Sequence, residues 1–154
     1  MKQTTLCFLV KDDKVLLAMK KRGFGVGKWN GIGGKLKDGE NVSDAAIREL
    51  QEEIGVGVTN EDLHEAGTLE FVYKDRPDWH QLCHVFMISI WRGEPTESEE
   101  MRPEWYRFDN LPFSSMWADD PHWLPLVLAE KKIEGKFLFD NQGESMFEFT
   151  VREI

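Results

Sequence analysis

The chain has 154 residues, a length that suits one domain whose core buries about two-thirds of the unfolded surface. Its 28 acidic residues against 19 Lys and Arg give a net charge of −9, which argues against the basic footprint that polymeric nucleic acid requires. No apolar run is long enough for a signal peptide or a membrane span, and Cys7 and Cys83 match no metal spacing. The expectation is a soluble cytoplasmic protein with reduced thiols, mitochondrial and nuclear pools being left open.

In chain order, Thr4–Val10 and Lys14–Met19 read as a strand hairpin around Lys11, Asp12 and Asp13. Arg22–Gly34 is glycine-rich, with Phe24 and Trp29 among the glycines, and predicts a loop of close backbone approach. No Gly-Lys-Ser/Thr follows it at the spacing of a Walker phosphate loop. Lys20, Lys21, Arg22, Lys28 and Lys35 gather here and would favour an anionic ligand despite the net charge; Lys20–Arg22 fits a solvated strand end equally well.

After the Gly39 turn, Val42–Ile54 holds no Pro or Gly and predicts a helix, with Ser43 or Asn41 as its cap and Gly55 as its stop. Glu49, Glu52 and Glu53, at i, i+3 and i+4, share an arc of roughly 100° beside the apolar stripe of Ala46, Ile47, Leu50 and Ile54. Three like charges on one arc repel unless a cation sits among them, and hard oxygen ligands suit Mg²⁺ or Mn²⁺. Alone, the triplet also fits a solvated acidic face. Arg48, four residues before Glu52, can pair with a carboxylate and hold its rotamer.

His64–Lys74 and Leu82–Arg92 read as long strands joined by Asp75–Gln81, and Gly93–Pro103 as an acidic loop able to add another carboxylate to the helix. Glu104–Phe108 reads as a short strand. Pro121 stands where a helix favours proline, predicting a second helix over Trp123–Lys132; Lys136–Asp140 and Met146–Val151 complete the strands. Strands with two separated helices point to an α/β fold, a mixed sheet between helices.

Gly34, Glu40, Arg48, Glu49, Glu52, Glu53 and Gly55, with Leu50 and Val56 aliphatic, stand at the offsets of the Nudix box. Seven specified residues at roughly 6% each would coincide on the order of once in a hundred million windows or fewer. The chain therefore resembles the Nudix hydrolases, which implies a single domain over 1–154 with the Nudix αβα sandwich. The runs MKKRGFGVGKWNGIGGK at Met19–Lys35, EMRPEWY at Glu100–Tyr106 and PFSSMWADD at Pro112–Asp120 resemble one branch, the oxidised purine nucleoside triphosphate hydrolases, also described as MutT homologues.

That resemblance implies a monomer using Mg²⁺, with Mn²⁺ as a substitute, to hydrolyse modified purine nucleoside triphosphates such as 8-oxo-dGTP and 2-oxo-dATP to the monophosphate and pyrophosphate. The alternatives are another Nudix substrate (a dinucleoside polyphosphate, a nucleotide sugar or an RNA cap) or a non-catalytic nucleotide-binding module. The implied metal site is Glu49, Glu52, Glu53 and Glu100 with the Gly33 and Gly34 main chain. Glu53 is the first choice as ligand and activator, and Arg48 the residue that supports the ligands. The implied substrate pocket is Thr5, Lys20, Phe24, Asn30, Ile32, Gly33, Gly34, Lys35, Phe71, Trp117, Asp119 and Asp120.

Trp117 offers a flat face for a purine, where stacking contributes roughly 1–3 kcal/mol, or else it packs in the core on the second helix. Asn30 carries both a donor and an acceptor for a base edge. Asp119 and Asp120 need not both ionise, so a proton redistributed between them could let one pocket take an oxidised guanine or an oxidised adenine; capping the second helix is their plainer role. Trp123 fits the core or a pocket wall, and Met101 a pocket lining or a buried filler. The four histidines fit no catalytic pairing. Ile32 stands where an aromatic is expected, at the pocket lip, and Lys74–Cys83 and Gly57–Asp62 diverge and carry insertions.

Overall fold

The computed structural model describes residues 1–154. In chain order its elements are β1 (Lys2–Lys11), β2 (Lys14–Lys20), β3 (Trp29–Asn30), α1 (Val42–Ile54), β4 (His64–Tyr73), β5 (Gln81–Ile88), β6 (Met101–Arg107), α2 (Asp120–Leu128), β7 (Ile133–Phe139) and β8 (Met146–Glu153).

Alternation along β1 creates the layers. Leu6 and Phe8 enter one core with Trp123, Leu124 and Val127 of α2, while Cys7 and Leu9 enter another with Ala46, Leu50 and Ile54 of α1. β5 divides the same way, with Cys83 and Val85 on the α2 side and Phe86 and Ile88 on the α1 side. The sheet between the helices is mixed: β1 runs parallel to β5 and β4 parallel to β7, while β4–β5 and β7–β8 are antiparallel. This is the predicted αβα arrangement.

The β1–β2 hairpin closes only at Val10↔Val15 and Lys11↔Lys14. Beyond those pairs the strands part, β1 to β5 and β2 to β3 and β6. The gap opened by that divergence is where the glycine-rich segment enters, with Ile32 bridging Cys7 and Lys35 bridging Thr4.

α1 has the predicted bounds. Asn41, not Ser43, caps it, its Oδ1 accepting from the Asp44 N–H at 2.8 Å. Gly55 ends it at φ 70°, its N–H donating to Gln51 O at 3.1 Å while the Val56 N–H donates to Leu50 O at 3.2 Å.

Several boundaries differ from expectation. β5 ends at Ile88 rather than Arg92, because Arg92 turns away to exchange two main-chain bonds with Gly57. β6 begins at Met101, before Pro103, a position open to proline because β6 pairs on one side only, with β2. α2 starts at Asp120 and stops at Leu128, since Glu130 takes φ 65° and the Lys131 N–H folds back to Leu126 O at 3.1 Å. No helix is long and apolar enough to cross a membrane.

Candidate active site

Arg48 organises the carboxylates of α1. Its guanidinium donates to both oxygens of Glu40 at 2.8 and 2.9 Å, to Glu49 Oε1 at 2.9 Å, to Glu52 Oε2 at 3.1 Å and to Lys35 O at 3.2 Å. The bidentate bond with Arg48 holds the Glu40 carboxyl down at about 2, and the same network raises the guanidinium's affinity for its proton. Arg48 thus fixes three carboxylates through one cation, two on α1 and Glu40 on the turn before it.

Glu53 is different. Its side chain is only 9% exposed, beside the apolar stripe as the helical spacing requires, and its Oε2 is buried without a hydrogen-bond partner. Burial, then the charge of Glu49 and its hydrogen bond, then Glu100, push its carboxyl up to about 9. Glu100 reaches the same groove from the stretch leading into β6, its Oε1 accepting from Arg22 Nη2 at 3.2 Å and its carbonyl from the Lys21 N–H at 2.8 Å.

No three acidic, His or Cys side chains converge on one point, because Glu49 and Glu52 turn to Arg48 while Glu100 turns to Arg22. The donor set still fits a hard divalent ion: it is all oxygen, and one buried oxygen lacks any partner. Gly34 leaves the room this needs, since a Cβ there would stand 2.8 Å from Glu49 Oε1.

A second cavity, of about 240 Å³, adjoins the groove along Gly33–Lys35. Thr5 of β1, Lys20 of β2, Phe24, Asn30 of β3, Gly33, Gly34, Lys35, Phe71 of β4, Trp117, Asp119 and Asp120 all line it. Lys20, Gly33, Gly34, Lys35 and Met101 also line the carboxylate groove, so the two spaces meet along one wall. A Cβ on Gly33 would fall 1.8 Å from Thr5 O, and the Thr5 N–H donates to Gly34 O at 2.9 Å. Only glycine admits that approach of loop to strand.

Within the cavity, Asn30 Oδ1 accepts from the Gly31 N–H at 2.9 Å, leaving its amide N–H groups available. Asp119 Oδ2 accepts from Trp123 Nε1 at 2.7 Å and Asp120 Oδ2 from the Trp117 N–H at 3.1 Å. Neither side chain caps α2, so the plainer role falls away. Burial raises Asp119 to about 6 even against the Trp123 bond, and burial and the adjacent Asp119 charge hold Asp120 well above the usual carboxylate range. Trp117 faces the cavity, with Lys28 Nζ 5.2 Å from its ring centre, whereas Trp123 is core at 0% exposed. Met101 is both buried and a lining residue.

Ile32 is the one predicted pocket residue that lies elsewhere. It is fully buried with Cys7, Leu9, Ala46 and Leu50 on the α1 side of the sheet. Directly opposed residues of a ladder point to the same face, and its partner Cys7 faces α1; Ile32 therefore cannot line the lip.

Sequence reasoning missed Tyr73, Gln81 and Cys83, which also line the cavity. Tyr73 had a signal: it lies two residues beyond Phe71 on one strand and so shares its face. The Thr4–Gln81 hydrogen bond, at 3.0 Å, depends on the β1–β5 pairing and had none.

The description "NUDIX domain" matches residues 1–127 of the chain. The oxidized purine nucleoside triphosphate hydrolase of Mus musculus is 44% identical over 150 residues, covering 97% of this chain and 94% of that protein. Its namesake in Danio rerio is 48% identical over 138 residues, covering 90% and 86%. Among solved structures, a MutT protein from Bacillus halodurans superposes with a TM-score of 0.85 at 26% identity, covering 98% of this chain and 97% of that one.

Proposed function

Since the chain belongs to the Nudix family of hydrolases, we propose that it hydrolyses oxidised purine nucleoside triphosphates such as 8-oxo-dGTP and 2-oxo-dATP to the monophosphate and pyrophosphate, sanitising the nucleotide pool. Nudix hydrolases act on small nucleotide substrates and generally use divalent metal ions. We take residues 1–154 as one domain working as a cytoplasmic monomer.

Glu53 Oε2, a buried carboxylate oxygen without a hydrogen-bond partner, carries this reading. Its residue lines the carboxylate groove that adjoins the aromatic cavity, the two places that would take a nucleotide's phosphates and base. The relatives from mouse and zebrafish, named for oxidised purine substrates, support the choice of base.

Glu49, Glu52, Glu53 and Glu100, with the Gly33 and Gly34 main chain, would hold Mg²⁺, or Mn²⁺ in its place. The bound ion supplies charge neutralisation of the phosphates and polarisation of the phosphoryl group under attack. Arg48 bonds one oxygen of Glu49 and one of Glu52, so each carboxylate keeps a second oxygen with which it would meet the ion. Lys20 and Lys35, on the shared wall, bring positive charge to the phosphate chain. Glu53, ionised once a cation lies among the carboxylates, accepts the proton of the attacking water.

At the other end Trp117 stacks on the purine and Asn30 donates to its edge. Asp119 and Asp120, raised in affinity for protons, present one neutral and one ionised carboxyl to the N–H groups and oxygens of the base. Pyrophosphate release from 8-oxo-dGTP and from dGTP in Mg²⁺, side by side, tests the reading. A large preference for the oxidised nucleotide is expected; equal turnover of the two, or none by folded protein, would overturn the substrate assignment.

A further inference from the structure

The segment between β4 and β5 is sharply turned and held on several sides. Asp75 takes φ 59°, a 3-10 turn spans Pro77–Trp79, and His80 Nε2 lies 3.0 Å from Tyr73 O while the Lys2 N–H donates to His80 O at 3.2 Å. These bonds carry Trp79 back over the end of β4. There its indole meets the Tyr73 ring edge-on at 5.5 Å and the Phe24 ring at 5.4 Å, and the Arg76 guanidinium covers its ring at 3.7 Å.

Phe24 is 53% exposed and sits in a loop of glycines at positive φ, Gly23, Gly25 and Gly27, which give its side chain no support of their own. Its neighbours hold it. Trp79 packs on one side of the ring, Trp117 lies 5.2 Å away with the planes at 32°, and a Cβ on Gly143 would stand 3.5 Å from Phe24 Cζ. Arg76, Trp79, Phe24 and Trp117 therefore form one continuous stack running from the surface to the cavity wall, yet Arg76 and Trp79 line neither the cavity nor the groove.

We propose that Trp79, clamped beneath Arg76, is a positioning residue that fixes Phe24 against Trp117 and so sets the fit of the pocket for a purine, the β4–β5 segment acting as its specificity element. The inference rests on the nucleotide reading above and deepens it. Both ends of the stack are needed: a flexible Phe24 leaves Trp117 open to solvent and to bases of any shape, whereas a held Phe24 presents a preformed slot. The effect falls on binding, because nothing in the stack lines the groove of Glu49, Glu52, Glu53 and Glu100.

Trp79→Ala, Trp79→Phe and Arg76→Ala are assayed beside the unaltered chain on 8-oxo-dGTP and on dCTP, a triphosphate with a single-ring base. Trp79→Ala should raise KM for 8-oxo-dGTP by about fivefold with kcat unchanged, Trp79→Phe should restore most of that loss, and Arg76→Ala should raise KM by about twofold. Turnover of dCTP should stay within about twofold throughout, which a merely structural defect would not spare. Normal activity of the unaltered chain with unchanged KM in Trp79→Ala, or equal losses on both nucleotides, would overturn this inference and leave the functional reading standing. Failure of the unaltered chain on 8-oxo-dGTP would overturn both.

Discussion

The carboxylate groove and the aromatic cavity share a wall but are built in opposite ways. The groove draws most of its chemistry from one helix, and its charges are satisfied before any ligand arrives: Arg48 holds three carboxylates, with only Glu53 left unpaired. The cavity draws its lining from β1, β2, β3, β4, β5 and the approach to α2, and its two carboxyls are shaped by burial and by each other. Reaction chemistry is thus encoded locally, with helix periodicity doing the alignment. Recognition is encoded by the sheet, where the spacing of residues along the chain says little about their neighbours in space.

The contrast breaks if the groove tolerates loss of its unpaired member. Glu53→Gln should cut kcat by about a thousandfold while leaving the melting temperature near pH 7 unchanged, since a carboxyl pushed up to about 9 is neutral there without a cation, as the amide is. Turnover near that of the unaltered chain would show that Glu53 is not the activator. In the cavity the loss should be smaller and of another kind: Trp117→Ala should raise KM by about tenfold or more with kcat little changed, from the loss of base stacking.

The reach of sequence reasoning follows the same division. α1, its Gly55 stop and the Glu53 position beside the apolar stripe were legible because one period of about 100° per residue governs them all. Ile32 was misread because its direction is set by pairing with Cys7, a strand partner far away in the chain. Pro103 concealed the start of β6, as the strand rules bar proline from a ladder but not from a free edge. Trp79 gave no signal, since its role arises only where the β4–β5 turn folds onto Phe24.

Ile32→Val sharpens the distinction between wall and core. A methylene lost from a fully buried site should cost about 0.5–1.5 kcal/mol of stability, read by denaturant unfolding, with KM for 8-oxo-dGTP unaltered. A changed KM at unchanged stability would return Ile32 to the pocket.

The smallest expected effect is a pH dependence. A carboxyl whose affinity for protons is higher in the folded chain than in the unfolded one contributes stability below its ordinary value of 3.8, lost as pH rises through the raised value. For Asp119 that window runs up to about 6, and for Asp120 further still. The melting temperature of the unaltered chain should therefore fall as pH rises from about 4 to about 7, and fall less in Asp120→Asn, which carries no charge to desolvate or to repel Asp119. Parallel curves would mean that the pair does not share its proton as its geometry implies. The same variant should shift the preference between 8-oxo-dGTP and 2-oxo-dATP.

Gly33 and Gly34 give the molecule something like a ruler. Because the loop is pinned to β1 by main-chain bonds and by an approach that only glycine admits, the span from base to phosphates would, in the proposed binding mode, be set by backbone. Residues around the mouth would then be free to vary the profile of what enters, while the bond to be cut kept its height above Glu53. A lineage could exchange one damaged base for another at the rim without re-tuning its reaction centre.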